Sequence, residues 1–112
     1  MSRPFILDER VGRWDKFRGD GTGSRYVDDG ILPGAGWWGV SAVDDKESSL
    51  WAACPCGCKL LLSLAVRAGY GSPVWTWTGT RERPTLHPSV QVTKPGGCGW
   101  HGHLTAGEWR PC

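Results

Sequence analysis

Three cysteines fall within five residues, Cys54-Pro55-Cys56-Gly57-Cys58, and a fourth opens the run Cys98-Gly99-Trp100-His101. Thiolate sulfur and imidazole nitrogen are the ligands of tetrahedral zinc, commonly supplied as close pairs from separate turns. Pro55 stiffens the first bend, and Gly57 lets the backbone fold over a sulfur with its N–H pointing inward. The second run has the C-x-x-H spacing of a zinc knuckle. The predicted ligand set is Cys54, Cys56, Cys98 and His101, with Cys58, His103 and the terminal Cys112 as alternative ligands. Five cysteines, three of them crowded together, suit a disulfide framework poorly and metal ligation in a reducing compartment well. Zinc would also stabilise a small glycine-rich chain, since a structural site contributes on the order of 10 kcal/mol of folding free energy.

A catalytic metal would need an open position and a nearby acid or base, for which His87, His103 and Glu108 are the candidates. None sits in an H-E-x-x-H pattern or in the H-x-E with P-C-x-x-C of zinc deaminases. No catalytic residue is therefore assigned, and a zinc-dependent hydrolase is an alternative to a non-enzymatic role. A nucleic-acid-binding zinc ribbon is the second alternative, with Trp75, Trp77 or Trp100 stacking on bases and Arg81, Arg83 and Lys94 touching phosphates. These basic residues form no stripe, and a net charge of +2 is too small to attract a polyanion by its long-range field. Gly19-Asp20-Gly21-Thr22-Gly23 looks like a phosphate-cradling loop but lacks the preceding strand and the lysine of one, and reads as a turn.

The elements that must position the cysteines are short. The 112 residues suit one core, and seventeen glycines with eight prolines work against long helices. The fold class predicted is mainly β: a small zinc-ribbon-like β domain over residues 46–112, preceded by an irregular, glycine-rich N-terminal arm over 1–45. Trp37 to Val43 has strand composition and is closed by the charged turn Asp44 to Glu47. Lys59 to Val66 is a continuous apolar run that favours a buried strand over a short helix. Val74-Trp75-Thr76-Trp77-Thr78 alternates with period two, so Trp75 and Trp77 should share a face. Pro84 to Ser89 reads as a rigid turn feeding the strand Val90 to Val92; Pro95-Gly96-Gly97 turns the chain into Cys98, and Leu104 to Trp109 closes as a hairpin. Eight tryptophans exceed what such a core needs, which predicts some at the surface and a protein partner to cover them. The N-terminus lacks the apolar run of a signal peptide, and no apolar stretch is long enough to cross a bilayer, so no membrane partner is expected and the chain is placed in the cytoplasm.

Taken in order, Cys54-Pro55-Cys56-Gly57-Cys58, Trp75-Thr76-Trp77-Thr78-Gly79, Pro84-Thr85-Leu86-His87-Pro88-Ser89-Val90 and Cys98-x-x-His101 resemble a family of small bacterial and phage proteins of unknown function. That family is carried widely in tailed-phage genomes and is sometimes mislabelled ammonia monooxygenase. The resemblance runs from about Trp51 to Trp109 and departs at His87, where the family usually has serine. It implies a phage-type zinc-binding β module with no established reaction. The expected function is structural or adaptor binding as a minor virion or tail-associated component, with other virion proteins as partners, in the host cytoplasm or in the virion.

Overall fold

The computed structural model describes residues 2–12, 18–19, 25–92 and 98–112. Within them the chain is built of strands, with one short 3-10 turn at Glu9–Gly12. In chain order the strands are β1 (Arg3–Pro4), β2 (Ile6–Leu7), β3 (Arg18–Gly19), β4 (Arg25–Tyr26), β5 (Ala35–Val40), β6 (Glu47–Ala53), β7 (Leu61–Ala65), β8 (Thr76–Gly79), β9 (Pro84–His87), β10 (Val90–Gln91), β11 (His101–Thr105) and β12 (Glu108–Pro111). One four-stranded sheet has the order β1-β12-β11-β10 and a second the order β2-β5-β6-β7, while β8-β9 and β3-β4 form separate two-stranded ladders.

Side-chain alternation along the strands explains the two-sided burial of the second sheet. Leu60, Leu62 and Leu64 join Leu50, Trp38, Phe5, Leu104 and Trp109 in the main core, whereas Leu61 lies in a second cluster with Val11, Val27, Ile31, Ala35 and Ala53. A strand buried on both faces reads as an unbroken apolar run, which is why Lys59 to Val66 showed no period of its own. The predicted strand there is observed as β7, and the predicted final hairpin as β11 and β12. Trp75 and Trp77 both pack against the main core, Trp77 with its ring centroid 4.5 Å from that of Trp38.

Three expectations differ from the structure. The division near residue 45 falls inside the second sheet, because β5 and β6 on either side of it are paired neighbours. Phe5, Val11, Val27, Ile31 and Ala35, all from the predicted arm, are buried in the same two clusters. Pro84 to His87 is a strand paired with β8 and not a turn, so only Pro88 and Ser89 remain to connect it to β10. The tryptophans are not surplus: none of those described is exposed, Trp14 lying outside the described residues together with Asp20–Ser24 and the Pro95-Gly96-Gly97 turn. In so small a core the indoles supply area that few aliphatic side chains are present to give.

Trp109 is the keystone of the first sheet. It is fully buried, and its indole N–H donates to the Gly34 carbonyl at 2.9 Å, tying β12 to the entry of β5. Gly34 holds a φ of 83° and a Cβ there would come within 2.8 Å of the Trp109 ring, so the contact requires glycine. Trp109→Phe keeps most of the apolar area but leaves the Gly34 carbonyl without that donor. The expected cost is about 1–3 kcal/mol of folding stability, read as a lowered denaturant midpoint at unchanged slope.

Candidate functional site

The first cysteine turn begins where β6 ends. Cys54 N–H donates to the Leu60 carbonyl and Gly57 N–H to the Cys54 carbonyl, which closes residues 54–60 into a tight loop. Gly57 with φ 95° and Lys59 with φ 68° give the loop its left-handed bends. Those bends bring Cys58 back toward the sulfurs of Cys54 and Cys56, and its N–H donates to Cys56 Sγ at 3.3 Å. Cys98, at the other side of the loop, completes the group: the Sγ atoms of Cys54, Cys56, Cys58 and Cys98 all lie within 4.8 Å of one another.

Cys54 Sγ is 3.4 Å from both Cys56 Sγ and Cys98 Sγ. A disulfide would need about 2.05 Å, whereas four thiolates at about 2.3 Å from a central zinc stand about 3.8 Å apart. The spacing therefore fits a tetrahedral metal. Burial pushes the Cys54 thiol well above its ordinary range. Burial, reinforced by the hydrogen bond to Cys98, raises Cys56 to about 11. Burial works upward on Cys98 too but is outweighed by hydrogen bonds from Cys56 and from the Trp100 backbone, so Cys98 titrates lower. Four sulfurs this close cannot all ionise beside one another without a cation, and a metal binding here would displace the protons they share.

The sequence-derived ligands thus divide. Cys54, Cys56 and Cys98 come together, and the alternative ligand Cys58 joins them. His101 does not: its Nε2 lies 2.9 Å from Ser89 Oγ. Cys112 Sγ is 4.0 Å from His103 Nδ1, and neither belongs to the four-sulfur group. His87 is exposed at the end of β9.

The Ser89–His101 pair is built by the first sheet. Ser89 immediately precedes β10 and His101 opens β11, and these strands pair antiparallel with Gln91 opposite His101. Three devices hold the two side chains in place. The indole N–H of Trp75 donates to the Ser89 carbonyl at 3.2 Å. Trp100 packs edge-on against buried Trp109, with ring centroids 5.8 Å apart at 82°. Gly102 lies beneath the Trp100 ring, which a Cβ there would meet at 2.7 Å. Cys98 sits three residues before His101, so the cysteine cluster anchors the segment that carries the imidazole. Ser89 also lines a cleft of about 380 Å³, walled by β7, β10 and the Ser72–Trp75 segment.

A serine hydroxyl within hydrogen-bond reach of an imidazole, opening on a cleft, is the arrangement of nucleophile and general base found in acyl-transferring hydrolases. The site thus defines a small β domain with a hydroxyl–imidazole pair and a four-cysteine cluster. Residues 27–112 match the family described as bacterial ubiquitination-like system serine protease (BubE), and the chain belongs to that family. The matched span holds the cysteine cluster, Ser89 and His101. Comparison with the curated proteins and with the solved structures gives no match.

The family corrects the functional expectation. A phage-type structural or adaptor protein, as a minor virion or tail component, gives way to a family assigned to a bacterial system and described as a protease. The lean away from an enzyme shifts toward one for the same reason. The pieces of the nucleic-acid alternative are used elsewhere: Trp75 and Trp77 pack into the core, and Arg81 pairs with Glu47. Among the described residues no helix is long and apolar enough to cross a membrane. Ser89 was missed in the sequence because its signal is spatial. A serine after a proline is common, and only the β10–β11 pairing brings it to His101.

Proposed function

We propose that this chain is a serine peptidase of a bacterial ubiquitination-like system, with Ser89 as nucleophile and His101 as its general base. The observation that carries the reading is the 2.9 Å approach of His101 Nε2 to the Oγ of Ser89, a residue of the cleft lining, in a chain of a family described as a serine protease. With Nε2 unprotonated, the imidazole accepts the Ser89 proton as Oγ attacks the scissile carbonyl carbon. The same proton then passes from Nε2 to the leaving amine, and an acyl-Ser89 ester remains. Water, deprotonated by His101, releases the acid and restores the hydroxyl. Gln91, directly across the ladder from His101, adds a neutral amide to the cleft wall.

The four cysteines are proposed to hold zinc, for which an all-thiolate tetrahedral set is suited. Four protein ligands would fill the coordination shell, so the ion's contribution would be structural, tying the loop after β6 to Cys98, three residues before β11. Ser89 and His101 carry the chemistry. The predicted partner is accordingly a polypeptide substrate.

A fluorophosphonate probe tests the nucleophile directly. It should modify the wild-type chain at Ser89 by peptide mass spectrometry, and His101→Ala should slow labelling at least a hundredfold. Labelling spread over several serines, or none at Ser89, would refute the assignment.

A further inference from the structure

The cleft beside Ser89 lies between two sheet edges. β7 is the last strand of the second sheet and β10 the last strand of the first, and both contribute to the cleft wall. In an antiparallel ladder alternate residues direct their N–H and C=O groups toward the partner strand and the others direct them outward. Cys54 N–H reaches the Leu60 carbonyl and Val66 N–H the Ser48 carbonyl, so the even-numbered residues of β7 face β6. Leu61, Ser63 and Ala65 therefore turn their backbone groups outward. The Ala65 carbonyl accepts from Trp75 N–H, which closes the ladder at that end and leaves Ser63 as the next position along the cleft. On β10, Val92 N–H donates to the Trp100 carbonyl, which places residues 90 and 92 toward β11 and turns the Gln91 backbone outward.

We infer that the cleft takes an extended, uncharged stretch of polypeptide as an added strand, paired through the backbone of Ser63 on one side and Gln91 on the other, with its scissile carbonyl at Ser89. This deepens the serine-peptidase reading and rests on it. Backbone pairing explains how a site with few polar side chains can hold a peptide, as in other cases of strand addition. The lining chooses among peptides. Leu62, Leu64, Pro73, Trp75, Val90 and Val92 are apolar, the remaining lining residues carry hydroxyl or amide groups, and no charged side chain lines the cleft. A charged substrate residue there would lose its hydration without gaining a partner.

Ser63→Pro isolates the strand-addition step. Ser63 is exposed and its N–H points away from β6, so proline removes the outward donor without breaking a ladder bond. The variant, wild type and a Ser63→Ala control are assayed with a small fluorophosphonate and with synthetic peptides of randomised sequence. Equal labelling of all three at Ser89 is expected, with peptide cleavage by Ser63→Pro slowed tenfold or more in kcat/KM relative to Ser63→Ala. A second measurement uses the wild type alone: N-methylation along the peptide cleaved fastest should block cleavage at alternate residues. If Ser63→Pro fails to fold, as seen from lost labelling, the N-methyl scan decides. Wild-type cleavage by Ser63→Pro, indifference to N-methylation, or labelling of the wild type with no peptide cleaved would overturn strand addition while sparing the nucleophile. Absence of wild-type labelling at Ser89 would instead overturn the serine-peptidase reading and strand addition with it.

Discussion

Ser89→Ala is expected to lower peptide cleavage about ten-thousand-fold or more while leaving the fold in place. Removing a nucleophile from a unit in which base and hydroxyl act together forfeits most of what the unit supplies, on the order of 5 kcal/mol of transition-state stabilisation. The fold should tolerate the change, because Ser89 is only half-buried and its tie to Trp75 runs through the backbone carbonyl, which alanine retains. His101→Ala should give a loss of similar size, and the double variant little more than either single one, as members of one catalytic unit are strongly non-additive. Steady-state cleavage of a fluorogenic peptide, beside thermal melts of each variant, measures both effects. Cleavage by Ser89→Ala within tenfold of the wild type would remove Ser89 from the mechanism.

Loss of the metal is expected to be the largest effect on stability. A structural thiolate site contributes on the order of 10 kcal/mol, comparable to the whole net stability of a small domain at about 5–15 kcal/mol. Purified under reducing conditions, the wild type should carry one zinc per chain, and stripping it with a strong chelator should abolish the cooperative thermal transition. Cys98→Ser and Cys58→Ser should each lose the metal. Both should also lose fluorophosphonate labelling with Ser89 intact, because β11, which carries His101, begins three residues after Cys98. The contrast with His101→Ala is decisive for the ligand set: that variant should keep its zinc and lose its labelling. Zinc retained by Cys58→Ser and lost by His101→Ala would reinstate the ligand set of Cys54, Cys56, Cys98 and His101.

Much of this protein was legible along the chain wherever the signal is local. Closely spaced cysteines about a proline and a glycine mark a turn able to hold a metal whatever surrounds them. The abundance of glycine and proline excluded long helices, and the Lys59–Val66 run was read as a strand. Other features depend on what lies opposite. Phe5, Val11 and Val27 fall in the stretch read as an irregular arm, and only the pairing of β2 with β5 and of β5 with β6 gathers their neighbourhoods into the core. Pro84 to His87 looked like a turn because proline punctuates sequences, yet it forms β9 against β8.

Composition and spacing by themselves determined that this is a small β protein with a thiolate-rich site. Both follow from short-range rules: the backbone freedom of glycine, the constraint of proline, and ligands that must lie within a few residues to share a turn. Tertiary structure decided which groups occupy that site and what stands next to it. The left-handed bends at Gly57 and Lys59 turn Cys58 toward the other sulfurs, and the β10–β11 register directs His101 to Ser89 across twelve residues of chain. Register and loop curvature are set by packing, as in the seating of Trp100 on Trp109 and the bond from Trp75 to the Ser89 carbonyl. Such packing leaves no periodic trace in the order of the residues, so the Ser89–His101 pair emerged only once the sheets were assembled.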